Sequence, residues 1–254
     1  MQAEFEYRAV VLSDVLQSKL IGLLEVLESI SDLYGASTEV ERGEFESFIL
    51  RTVKQHRAIQ GLDWVPRVPD ERRAEFEIAA QAKGLANFQF TERNPAGQFI
   101  RAGQRAEYFP IYFIAPLVGL RPVLGFDLAA DPAWRTILER ACDMGQMAAT
   151  PPIKLVQGTG QDIGALIFLP VYYTGFPTGI LTERLANLQG FGLLALRMDI
   201  AIQEALHGWE RSGLAIFLVD DAVPSAEGFL YSESPPTRAN TFRWGRALPI
   251  ADRH

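Results

Sequence analysis

Apolar residues recur along the first 34 positions at Leu16, Leu20, Leu23, Leu27, Ile30 and Tyr34, in alternating steps of four and three. That spacing lays them in one stripe along a helix. The stretch contains no proline, and Gly35 is placed to end it. About 30 helical residues would reach about 45 Å. Such a stripe either packs on its own domain or forms a parallel seam or signalling stalk with a second copy. Glu41 to His56 predicts a second helix, with Phe45, Phe48, Ile49 and Val53 on its buried side.

The pattern then shortens. Ile59 to Val65 reads as a strand that Pro66 and Pro69 break. Asp70 to Lys83 reads as a charged surface helix with a thin apolar side at Phe76, Ile78 and Ala79, and Phe88 to Thr91 as a short strand. Tyr108–Ile114 and Pro122–Leu128 are apolar runs around a turn, the signature of a hairpin. Asp131 and Pro132 predict an N-cap and first helical position, with the helix running to Met144 and Gly145 closing it. "FPIYF…GFDL..DPAWRTIL" is echoed by "LPVYY…GLLALRMDIAIQEAL", and strands at Leu214–Val219 and Gly228–Tyr231 follow. The fold class expected is α+β: a long N-terminal helix, then two similar units built mainly of antiparallel strands.

Composition narrows the function. With 48% apolar residues and 16 Phe the chain can bury a real core. A net charge of -7 and a pI near 5.1 argue against nucleic-acid or anionic-membrane binding. The single Cys142 excludes an internal disulfide or a cysteine metal cluster. The start MQAEFEYRAV lacks the basic and apolar regions of a leader, and no 18-residue apolar run occurs, so the chain reads as soluble or as a segment of a longer one.

Motifs that carry chemistry are scarce. His56, His207 and His254 stand far apart, and no metal-binding or nucleotide-binding spacing appears, so no cofactor or metal is expected. "QGTGQDIG" at 157–164 lacks a lysine and a following helix, and reads as a hairpin turn. Asp127 and Asp131 invite an active-site reading, a hydrolase or isomerase with a distant acid or base. Asp199 recurs where the next helix begins, which favours a capping role for such acids. The rings of Tyr108, Phe109, Tyr112, Phe113 and Phe126 suit a small-ligand pocket between sheet and helices, and Thr150 could add a hydroxyl. A module that senses through protein contact or dimerisation, its core sealed by its own side chains, is the rival.

Four segments taken together are similar to the CHASE family: "IQGLDWVPRVPDERRAEFE" from Ile59, "EYFPIYFIAP" from Glu107, "GFDLAADPAWRTILERACDMGQMAATPPIKLVQ" from Gly125, and "LIFLPVYY" from Leu166 with Gly190-Phe191 after it. The resemblance implies a non-catalytic extracytoplasmic sensor of a histidine kinase or cyclic-nucleotide or cyclic-dinucleotide enzyme such as a diguanylate cyclase. It would have a helical stalk (1–57), a membrane-distal PAS-like ligand-binding unit (58–165) and a membrane-proximal PAS-like unit (166–254). Flanking transmembrane helices in the parent protein, a periplasmic location and a homodimer through the N-terminal helix are implied as well. Thr150 matches the threonine that contributes to the pocket of plant cytokinin receptors. The acid of that pocket belongs at Ala115-Pro116-Leu117, where no carboxylate stands, so aminopurine recognition is not expected. The resemblance thus puts Thr150, Tyr108, Tyr112, Phe126, Ala115, Pro116 and Leu117 at a small-molecule site. Trp134 is a further departure, and would narrow the pocket if turned inward.

Overall fold

In a computed structural model the structure describes residues 1–37, 40–117, 120–155, 163–210, 213–224, 228–232 and 242–253. The N-terminal helix α1 (Gln2–Ala36) is 35 residues long, about 52 Å, and α2 (Arg42–Gln55) follows with a reciprocal Glu41–Glu44 capping box. The strands β1 (Ile59–Pro66) and β2 (Val68–Pro69) lead through a 3-10 turn into α3 (Arg73–Ala82). Short strands β3 (Thr91–Arg93), β4 (Phe99–Arg101), β5 (Glu107–Tyr108) and β6 (Phe113–Ala115) precede α4 (Pro132–Met144). Next come β7 (Ala148–Ala149), β8 (Ile153–Lys154), the long β9 (Ile163–Tyr172), α5 (Leu181–Asn187), the long β10 (Leu188–Arg197) and α6 (Met198–Ala205). β11 (Phe217–Val219) and β12 (Phe229–Ser232) complete the described elements.

One six-stranded antiparallel sheet organises them, in the order β6-β1-β10-β9-β7, with β8 also paired to β9. β1 meets β10 with Asp63 opposite Leu193, and β6 with Asp63 opposite Ile114. The expected boundary at 165/166 falls inside β9, and β9 and β10 share this sheet with β1, so strands from both stretches join in one layer. The architecture is therefore α+β, a long helix followed by antiparallel sheets, of a kind consistent with a PAS-like sensor.

The leucine stripe packs inward. Leu16, Leu20, Leu23, Leu27, Ile30 and Tyr34 are all buried, the last five in the core between α1, α2 and one face of the sheet. The N-terminal half of α1, with Leu12 and Leu16, forms a separate cluster with Ile202 and Leu206 from α6 and its C-terminal end, and with Leu248. Of the two roles the spacing allows, the stripe takes the first and packs on its own domain. On α2, Phe45, Ile49 and Val53 are buried as expected, but Phe48 is 41% exposed. On α3 it is Glu77 and Ala80 that are buried, while Ile78 faces solvent. Glu77 is held by Arg73, Arg101 and the Phe90 N–H, which is why a charge is tolerated there.

Three strand expectations change. Tyr108–Ile114 divides into β5 and β6, which pair with β2 and β1. The strand foreseen at 88–91 begins at Thr91, and Pro122–Leu128 is not a regular strand: Arg121–Val123 turn as a 3-10 helix. The chain still runs beside residues 109–111, since Leu128 N–H donates to Phe109 O and Gly125 N–H to Ile111 O. Gly125 has φ +81°, and a Cβ there would lie 2.3 Å from Gln89 O, so glycine is required. Pro170 lies within β9, not at its start. β7 pairs with β9 only at Ile167 and Phe168, so one side of β9 at Pro170 has no neighbour among the described strands and a missing N–H is tolerated. "QGTGQDIG" lies outside the described residues up to Gln161-Asp162, with Ile163 and Gly164 opening β9.

Candidate functional site

The opposite face of the sheet is hollow. Along β1, Leu62 and Trp64 point to the α1/α2 core, while Gly61, Asp63 and Val65 point away from it. Gln60, the extra residue at a bulge between the Ile59 and Gly61 pairings, also turns to this second side. Leu193 and Ala195 of β10 and Leu166 of β9 extend the same surface. The 3-10 segment after Pro116, the start of α4 and the β8 stretch stand off from it and enclose a cavity of about 510 Å³. Its walls are mostly apolar, with Ile111, Ile114, Leu120, Val123, Phe126 and Leu128 among them.

Asp63 is the exception in the floor. It is 4% exposed, and its Oδ1 has no hydrogen-bond partner among the described residues. Burial alone pushes its carboxyl well above the ordinary carboxylate range, with no neighbouring charge contributing. Gly61 keeps the space beside it open: a Cβ at Gly61 would lie 3.2 Å from Asp63 Oδ1 and 3.2 Å from Leu120 Cδ1.

The other charged groups of the cavity are engaged or exposed. Arg105 pairs with Glu92 and with Asp127, the latter at 2.6 Å, and Arg93 lies over the Phe99 and Phe126 rings at 5.2 and 5.6 Å. Asp131 caps α4 by accepting from the Ala133 N–H at 2.9 Å, with Pro132 first in the helix and Gly145 left-handed at φ 65° behind it. Lys154 stands exposed at the rim. Trp134 is turned inward, lines the cavity and meets Phe168 edge-on at 6.4 Å.

Asp127 is fully buried yet fully used. The Phe109 and Ala129 N–H groups donate to Oδ1 at 2.8 and 3.2 Å, and Arg105 reaches Oδ2. Burial pushes its carboxyl up, and the Phe109 N–H and Arg105 pull it part of the way back. It does not line the cavity, and Asp131 is a helix cap, so a hydrolase or isomerase built on these acids loses its candidates. Asp199 sits inside the first turn of α6 and faces Arg197 at 3.5 Å, so the echo of Asp127 is not an echo of its bonding.

Of the expected ligand residues, Phe126 lines the cavity. Tyr108 is buried but does not line it, its hydroxyl donating to Asp70 at 2.8 Å and accepting from the Arg105 N–H at 3.2 Å. Tyr112 faces the helical side, where its hydroxyl donates to Phe76 O at 3.1 Å. Thr150 is turned toward Ala165, Leu230 and Leu248, and its hydroxyl accepts from the Leu166 N–H at 3.0 Å, locking β7 to β9. Ala115 pairs with Leu62, the Ala115–Pro116 bond is cis, and Leu117 is partly buried; none of the three lines the cavity. Sequence reasoning missed Asp63, the acid that the neighbouring strand brings beside β6.

Among curated proteins none matches the chain. Solved structures similar to it include the ligand-binding domain of the amino acid chemoreceptor PctC of Pseudomonas aeruginosa PAO1 in complex with GABA (15% identity, 87% of this chain and 71% of that one, TM-score 0.47). The periplasmic sensory domain of the Campylobacter jejuni chemoreceptor Tlp1 is another (13% identity, 85% and 66%, TM-score 0.43). A methyl-accepting chemotaxis protein X is a third (13% identity, 90% and 76%, TM-score 0.47). The family model described as the CHASE domain matches residues 38–231, and the chain belongs to that family of non-catalytic sensory modules.

Proposed function

We propose that the chain is the extracytoplasmic sensory portion of a membrane receptor and binds a small organic molecule in the 510 Å³ chamber. The observation that carries this reading is a cavity of ligand size, walled mostly by apolar side chains, with a buried acid in its floor whose Oδ1 has no partner among the described residues. A module acting only through protein contacts would have filled that space with its own side chains. The expected residues outside the wall have supporting parts: Tyr108 positions Arg105, and Thr150 holds Leu166 in register.

The sheet with its chamber is the membrane-distal, ligand-bearing part. The cluster of α6 with the first half of α1 and Leu248 is the membrane-proximal part. α1 touches both, so a ligand that favours one of two sheet positions biases the helix and, through flanking transmembrane helices, a kinase or cyclic-nucleotide output. A homodimer through α1 would use its outer face, where Tyr7, Val10 and Ile21 are exposed.

The test is a thermal-shift screen of small metabolites on the purified chain, repeated with Ala195→Leu, which fills the chamber from β10. A ligand stabilises the fold by mass action. Hits should lose most of their shift in Ala195→Leu. Hits that keep their full shift there, or a screen without hits, would sink the chamber as the site.

A further inference from the structure

We infer that the chamber takes an organic amine, a protonated nitrogen on an apolar body, with Asp63 as its counter-ion. This rests on the reading of the chamber as a ligand site. Asp63 stands mid-strand in β1, and the residues opposite it on both neighbouring strands, Ile114 and Leu193, are apolar. A carboxylate in such surroundings is costly unless it is paired. Among the described residues no cation is left for it: Arg105 is taken by Glu92 and Asp127, and Arg93 lies over two rings. Lys154 stands at the rim in solvent, and Asp131, the remaining acid, caps α4. No group of three or more potential metal ligands occurs among the described residues, so a metal ion is a poor occupant. An ammonium group supplies the missing charge and donors together, while the leucine and isoleucine walls accept an apolar body.

Among the described residues, the titratable groups that share the chamber with Asp63 are Glu92, Arg93, Arg105, Asp131 and Lys154, and none contributes to its raised carboxyl pKa. An amine needs Asp63 ionised, so its binding expels the proton that burial retains. Affinity for an amine should rise about tenfold per pH unit while the free protein holds that proton. A neutral ligand that accepts from a protonated Asp63 would bind independently of pH over that range and weaken only above it.

The experiment is calorimetric titration of the chain with hexylamine, hexanol and hexanoate, and with 2-phenylethylamine, 2-phenylethanol and 3-phenylpropionate, from pH 5 to 8. At least one amine should bind at least tenfold tighter than its alcohol and its acid, with affinity rising with pH. Asp63→Asn should remove that preference; asparagine is close in shape to the protonated acid, and a melting curve of the empty variant checks that it is folded. If the alcohol or acid binds as well as the amine and Ala195→Leu blocks it, the amine inference falls and the chamber reading stands. If none of these probes binds, or Ala195→Leu blocks none of those that do, both fall.

Discussion

On one face of the central sheet, Leu27 and Ile30 of α1 press onto Gly192 so closely that a Cβ there would meet them at 3.1 and 3.4 Å. On the other, the next residue of the same strand, Leu193, looks into an open chamber. Each side also carries what its packing allows. The filled side is apolar and stacked, with Tyr34 on Trp64 at 3.7 Å, whereas the hollow side holds two buried carboxylates of opposite character. Asp127 has two N–H donors and an arginine; Asp63 has no described partner for Oδ1. The contrast teaches that burial of a charge alone does not mark a site. What marks Asp63 is that no described residue answers its Oδ1 beside empty space.

The largest effects should come where that contrast is broken from the satisfied side. Asp127→Ala would take one of two carboxylates from Arg105 and leave two N–H groups unpaired, and a broken buried pair costs about 3–5 kcal/mol. Urea unfolding should show that loss; a loss under about 1 kcal/mol would mean that Asp127 is no keystone. Close behind is Leu27→Ala on the filled face, where a fully buried leucine is worth about 2–5 kcal/mol. The ligand-induced gain in melting temperature should survive Leu27→Ala, since this residue backs the opposite face.

Asp63→Asn should do the reverse of Asp127→Ala. Asparagine cannot ionise, so the variant should match the parent near pH 4 and become the more stable of the two by about 1.4 kcal/mol per pH unit above it. The sign with pH follows from its raised carboxyl. The folded state holds the proton more tightly than the unfolded chain, whose value is about 4. Its stabilising contribution is therefore fully present below about pH 4 and is lost as pH rises through the raised folded value. The stability difference between Asp63→Asn and the parent should widen over that window in unfolding titrations. A pH-independent difference would mean that Asp63 is paired.

The parts legible in the sequence are those set by local rules. The α1 stripe, and Asp131 with Pro132 and Gly145 around α4, follow from side-chain spacing and capping within a few residues. Where β1 pairs does not: its neighbour β10 lies more than 120 residues later, and nothing local specifies that Asp63 meets Leu193. Thr150 shows the same limit. Its place before Pro151 suggested a pocket mouth, but the register of β7 on β9 turns its hydroxyl to the Leu166 N–H. One signal for Asp63 was present. In "IQGLDWV" an acid interrupts a mostly apolar strand two residues after a glycine, and a strand covered on both faces seldom holds a lone charge.

The smallest effect sharpens where the site ends. Asp131 lines the chamber rim, but its carboxylate is committed to the Ala133 N–H. Asp131→Ala should cost about 1 kcal/mol, the usual worth of an N-cap, because the rest of α4 is anchored by Ile137, Leu138 and Ala141. If the rim is only framing, the thermal gain from a bound amine should match the parent within error. If that gain falls along with the cap, Asp131 must reach the ligand, and Asp63 would then share its charge with a second acid. Thermal shifts on Asp131→Ala and Asp131→Asn separate the two cases, since asparagine keeps the cap and removes only the charge.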